Sequence, residues 1–232
     1  TLCIIFLGFY TLILSGSRGP IVVAIFISIA FLFYFYKYHS IKVLSKYIFF
    51  ITSVFIVTFS SIHAEKRIND AVKEFKSAPQ CLEVDCSQPL VFDKSISLRL
   101  FAWERALENV NEIFFVGVGF GKSVSFLKQK NTFLPDHFDN IHNDYLEVLL
   151  SGGIGSLFLI IALITVPLIF FYQNLDSINT RPYAILGISA SLVIIGVSLS
   201  QESLTYKYIS GFYIFLNLLF LKEIIRIKRN NS

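Results

Sequence analysis

The sequence predicts an all-α, polytopic integral membrane helix bundle that carries one large external loop with amphipathic helices. Three observations predict it. The 232 residues include 25 Phe and 11 Tyr, are 54% hydrophobic and have a mean hydropathy of +0.65, which is greasier than a soluble domain. Several apolar runs approach the roughly 20 residues needed to cross about 30 Å of hydrocarbon. Basic residues gather at two places, Lys37, Lys42 and Lys46 in a short connection and Lys222, Arg226, Lys228 and Arg229 at the C-terminus, and the positive-inside rule puts both in the cytoplasm. The basic end is read as a stop-transfer signal, with no nucleic-acid partner.

The chain begins at Thr1 and contains no Met. It is therefore expected to be a portion of a longer protein, with Leu2 to Leu14 the tail of a longer helix. Ile21 to Tyr36 and Tyr47 to Ile62 flank the lysine-rich connection, so the first runs inward and the second outward. Leu146 to Tyr172 returns to the cytoplasm, Gln173 to Arg181 lies inside, and Tyr183 to Ser200 goes out again. Gln201 to Thr205 is then an external turn, and Tyr206 to Leu221 leads to the basic tail. The resulting organisation is 1–62 membrane helices with an outward SRG turn, 63–144 an external loop, 145–221 membrane helices and 222–232 a cytoplasmic tail. Both basic segments land on one side, which checks the helix count independently.

A connection of this length usually carries function or is disordered. Its composition argues for order. Ile96, Leu100, Trp103, Leu107, Val110 and Phe114 recur at three- and four-residue intervals, as in an amphipathic helix at the membrane surface or against the bundle. In that phase Arg99, one turn before Trp103, borders the apolar stripe, whereas Arg105 projects toward Glu104, Glu108 and Glu112. Cys81 and Cys86 in CLEVDC are expected to form a structural disulfide, since the loop faces an oxidising compartment and the spacing is not Cys-x-x-Cys. Cys3 sits in an apolar run and is expected to be inert.

Four motifs carry the polar chemistry. SGSRGP places Arg18 in a turn between two helices, with Pro20 suited to the first helical position; an arginine held near hydrocarbon is expensive and tends to mark a substrate site or pathway. GVGFGKS is not a nucleotide loop, because Val116 stands where the first glycine of that motif belongs, and its glycines are read as freedom for a bend. Lys122 remains a weaker phosphate candidate. DHFDNIHNDYLE packs Asp136, His137, Asp139, His142 and Asp144 together, either as a divalent-metal cluster or as an interfacial helix cap. His142 suits a general base, since an unperturbed pKa near 6.5 lets imidazole accept a proton around neutrality, and a structural histidine is the plainer alternative. SGGIG, Ser151 to Gly155, is read as a small-residue helix-packing surface. Glu202 in QESLTY shares the external side, as a solvated turn residue or a contact for a substrate hydroxyl.

The ordered set SRG, S-x-x-x-R-x-x-x-W-x-x-A-L, G-V-G-F-G, H-N-D-Y-L-E and a Gly-rich helix start resembles the O-antigen ligase family of bacterial envelope glycosyltransferases. It is similar as well to O-antigen polymerases and to oligosaccharyltransferases that modify pilins. The resemblance implies a multi-pass protein of the bacterial inner membrane whose large loop and active site face the periplasm. It implies transfer of a glycan from undecaprenyl diphosphate to an acceptor hydroxyl, with lipid A core or another glycan as acceptor, membrane lipids as surroundings, and no metal or other cofactor. By the same resemblance Arg18 and Arg99 bind the diphosphate and His142 takes the acceptor proton. Family members have further N-terminal helices that this chain lacks. Two other classes remain open on the residues: a transporter of the lipid-linked glycan, and a metal-dependent hydrolase built on Asp136, His137, Asp139 and His142.

Overall fold

The computed structural model describes residues 95–130 and 134–230, with helical positions 23–25, 27–29, 45, 48, 49, 52 and 53 before them. The chain divides into two compact units, 1–76 and 77–232. Arg18, the three cysteines, His39, His63, and most of the first two expected spans and their lysine-rich connection lie outside the described residues. In the first unit the Ser53 hydroxyl donates to the Phe49 carbonyl at 2.8 Å, one helical turn back.

The described part of the second unit is helical throughout, without a strand. Its helices are α1 (Ser95–Glu108), α2 (Val110–Ile113), α3 (Ser123–Lys130), α4 (Asp144–Tyr172), α5 (Arg181–Ser198) and α6 (Lys207–Asn230). The first three and the irregular 134–143 segment enclose one core, built on Phe101, Ala102, Ala106, Ile113, Leu127, Phe138, Ile141 and Leu150. The apolar stripe of α1 is displaced from the expected one. Phe101, Ala102 and Ala106 are buried, while Leu107 is 56% and Phe114 38% exposed. Two causes account for this. Alanines let α1 sit close to its neighbours although their own hydropathy is weak, and the helix stops at Glu108, so its phase does not carry through to Phe114.

Helices α4, α5 and α6 are long and apolar enough to cross a membrane. At 1.5 Å per residue, the 29 residues of α4 extend about 43 Å. Phe158, Leu159, Val166, Ile169, Phe212, Phe215 and Leu218 stand exposed along these helices, an apolar surface that belongs in lipid rather than water. Inside, Ile164, Ile194 and Tyr213 make one small core, and Phe171, Ala184 and Ile224 another nearer the opposite end. The last helix continues to Asn230, so the expected tail is helical from residue 222 onward. Its Ile224 is fully buried.

SGGIG is not a helix-packing surface of the expected kind. Gly153 breaks α4, with φ 69° and ψ −167°, and the main-chain groups released there bond to the GVGFG segment. Val118 N donates to Leu150 O and Gly119 N to Ser151 O, each at 2.8 Å, while Ile154 N donates to Phe114 O at 2.7 Å. A Cβ on Gly153 would stand 2.5 Å from Phe115 O, and one on Gly117, itself at φ 71°, 2.5 Å from Gly152 N. Both motifs are glycine-rich because two backbones touch. The accounting of buried main-chain groups closes across the break, and it fixes the α2–α3 connection to a membrane helix.

Candidate active site

Two short segments clasp each other where α4 begins and α5 ends. From α4's side come Ile141, His142, Asn143 and Asp144; from the other comes the 199–205 turn. Asp144 is fully buried. Its Oδ2 accepts from the main-chain N–H of Ser203 (2.7 Å) and Leu204 (2.8 Å), and its Oδ1 from Thr205 N (3.1 Å) and Thr205 Oγ1 (2.9 Å). Asn143 caps α4, its Oδ1 accepting from Tyr145 N and Leu146 N at 3.1 Å, and its Nδ2 donates to Leu199 O at 3.3 Å. The cap satisfies two of the N–H groups that a helix start leaves unpaired. Glu202 answers from the turn: the main-chain N–H groups of His142 and Ile141 bond to its carboxyl.

Helix α1 clamps the clasp with residues one turn apart. Trp103 Nε1 donates to Ile141 O at 2.8 Å, and Arg99 Nη1 donates to Ser200 O at 3.2 Å. Ile141 is itself fully buried in the core. His142 is thus held from both neighbours, and its own φ is +57°, the left-handed region in which a non-glycine residue is uncommon and pays about 1–3 kcal/mol of strain. The surrounding bonds over-determine that conformation, which fixes where the imidazole begins.

Burial lowers the pKa of His142 from its usual value, and the Arg99 guanidinium lowers it further. Glu202 moves the other way. Burial raises its pKa first, then the Glu147 carboxylate; the N–H of His142 opposes the rise, Asp144 adds to it, and the N–H of Ile141 opposes it again. An imidazole with a lowered pKa is uncharged at neutral pH and free to accept a proton. In the full-length protein, His142 followed by imidazole NMR is expected to titrate below 6.5 and to move upward in Arg99→Gln, where the neighbouring charge is gone. No movement in that variant would show the pair to be uncoupled.

A second cluster lies on the next turn of α4. Glu147 Oε1 accepts from Ser123 Oγ at 2.7 Å and from Ser151 Oγ at 2.9 Å, and the two serine oxygens are 2.9 Å apart. It ties the start of α3 to α4 just before the Gly153 break.

The O-antigen ligase profile matches residues 3–161 of this chain. The chain belongs to the O-antigen ligase family. A curated relative from Haemophilus influenzae (strain ATCC 51907 / DSM 11121 / KW20 / Rd), described only as an uncharacterized protein, is 29% identical over 233 aligned residues. The alignment takes in 94% of this chain and 55% of the relative, so the chain spans about half of that relative's length. O-antigen ligase family members are glycosyltransferase-like membrane proteins, in keeping with the three apolar helices. The profile match includes Arg18, Arg99 and His142 and ends within α4. The 199–205 turn lies beyond it, so half of the clasp comes from chain outside the matched stretch.

Of the residues singled out from the sequence of this O-antigen ligase family member, Arg99 and His142 come together, and Arg18 is outside the described residues. Arg105 is engaged elsewhere, with Glu108 at 2.6 Å and Glu104 at 3.2 Å. Asp136 and His137 are exposed, and among the described residues no three His, Cys, Asp or Glu side chains converge as a metal site would require. Asp144, counted in that cluster from sequence, spends its carboxylate on the turn. Lys122 is exposed, beside the glycine segment. Sequence reasoning did not find the Glu202 contact to His142 or the Ser123–Glu147–Ser151 cluster. The only available signal was the i, i+4 spacing of Glu147 and Ser151, which puts them on one helix face.

Proposed function

We propose that this O-antigen ligase family protein transfers a glycan from undecaprenyl diphosphate to an acceptor hydroxyl at the periplasmic face of the bacterial inner membrane. The observation that carries the reading is the pairing of Arg99 with a base held uncharged, His142, where α4 begins. In this mechanism the acceptor oxygen attacks the anomeric carbon as the bond from that carbon to the diphosphate oxygen breaks. The bonding pair leaves with undecaprenyl diphosphate, whose growing charge is met by Arg18 and Arg99, and the acceptor proton passes to His142. Guanidinium groups suit this role because they stay protonated and bind phosphate oxygens bidentately. One base opposite the leaving group suffices for displacement with inversion, through an oxocarbenium-like transition state. The reading calls on no metal, since the two arginines supply the positive charge.

The test is reconstitution of the full-length protein with an undecaprenyl-diphosphate-linked glycan and three acceptors: lipid A core, a second lipid-linked repeat, and a pilin peptide. The expected result is a new glycosidic bond on one of them with stoichiometric release of undecaprenyl diphosphate. The acceptor used separates ligase, polymerase and protein glycosylation. Passage of intact donor between leaflets with no new bond would overturn the reading in favour of a transporter.

A further inference from the structure

Glu202 faces two ways. Its carboxyl receives the N–H groups of Ile141 and His142, and it also lines a cavity of about 490 Å³ walled by α3, α4, the 139–140 stretch and the 202–205 turn. That size is in the range of small-molecule sites, about 300–1,000 Å³. The wall carries Glu147, Glu202 and Asp139 together with the hydroxyl of Ser123 and the amide of Asn140, and no Lys or Arg among the described residues. A diphosphate has no counter-charge here. Ionised carboxylates only accept hydrogen bonds, so the occupant they favour is rich in donors. Phe120 stands at the rim, 81% exposed, offering a flat apolar surface beside these polar groups. No three of the acidic side chains converge as cation ligands.

We infer that this cavity is the subsite for the acceptor's sugar ring, with hydroxyl groups donating to Glu147 and Glu202 and the ring's C–H face lying on Phe120. The inference rests on the reading that His142 serves as base, and it supplies that base's substrate from the adjoining space: Asn140, in the cavity wall, is two residues before His142. It also gives the two halves of the reaction different surroundings. Cations hold the donor's phosphates; carboxylates hold the acceptor's hydroxyls. A raised proton affinity at Glu202, caused first by its burial and then by Glu147, fits a wall made for neutral hydroxyls rather than for a full cationic charge.

Saturation-transfer NMR on the full-length protein in nanodiscs tests this directly, with methyl β-D-glucopyranoside as sugar probe and inorganic pyrophosphate as phosphate probe. Val124→Phe fills the cavity from α3. Glu147→Gln keeps an oxygen to accept from Ser123 and Ser151 but replaces a charged acceptor by a neutral one, a change worth about tenfold in binding. Wild type is expected to saturate the sugar ring protons, both variants to weaken sugar binding by about tenfold or more, and pyrophosphate binding to be equal in all three. Absence of sugar binding to wild type overturns the inference. So does sugar binding that is unchanged in both variants, or a loss confined to pyrophosphate. The readout needs no catalysis: a protein that binds the sugar here yet transfers no glycan keeps the subsite and loses the glycosyltransferase reading. One that transfers glycan with an unaltered acceptor KM in Val124→Phe keeps the chemistry and loses the subsite.

Discussion

His142→Ala lowers the rate of glycan transfer by about 10²- to 10⁴-fold, the usual share of general base catalysis, with membrane insertion and donor binding intact. The residue's left-handed backbone makes a sharper version of the experiment possible. Glycine adopts φ near +57° at no steric cost, so His142→Gly removes the ring while easing the strain and leaving the Ile141, Asn143 and Asp144 contacts in place. Its rate is expected to match that of His142→Ala, and added imidazole is expected to restore part of it. Arg99→Ala is expected to abolish transfer as well, by weakening donor binding and by removing the charge that meets the leaving group; Arg18→Ala is expected to do the same. A His142→Gly protein with a kcat within tenfold of wild type, measured with saturating donor and acceptor, would remove the base from the mechanism.

Asp144→Ala is expected to cost roughly 3–5 kcal/mol of stability, the effect of stripping a buried charged group from its partners. Three main-chain N–H groups and one hydroxyl lose their acceptor together. Of the residues donating them, Ser203 is 1% and Leu204 8% exposed, so water replaces little of what is lost, at about 1–3 kcal/mol for each buried donor left unmade. Asp144→Asn is expected to fall between, because its amide oxygen still accepts while its NH2 opposes a neighbouring N–H. Thermal unfolding of the full-length protein in detergent measures both. A change under about 1 kcal/mol for Asp144→Ala would mean that the 199–205 turn is held mainly by Arg99 and Asn143.

The membrane helices were legible because their signal is local and long. Leu146 to Tyr172 reads as a span without help, and α4 differs from it only by the two polar residues that begin the helix. The end of α6 was harder, since Lys and Arg alternate with Ile224, Ile225 and Ile227 and mask a helical repeat whose Ile224 is buried. Helical phase separated Arg99 from Arg105 although the same phase misjudged Leu107. The relation of the two arginines depends on neighbours four residues away, whereas burial of Ala102 and Ala106 depends on what packs against them. The clasp itself has no sequence signature. Asp144 meets residues 203–205 through their main-chain N–H groups, which every non-proline residue owns, and the helix break at Gly153 is invisible in a run of small residues that would equally suit a straight helix.

The charge pair of Arg99 and His142 bears on the order of events. In the empty site the guanidinium works against any proton on the imidazole. Once anionic phosphate covers Arg99, that opposition is cancelled and the basicity of His142 rises. On the proposed mechanism the donor therefore switches on the base that will act on its partner. An acceptor that arrives first meets a feebler base and waits.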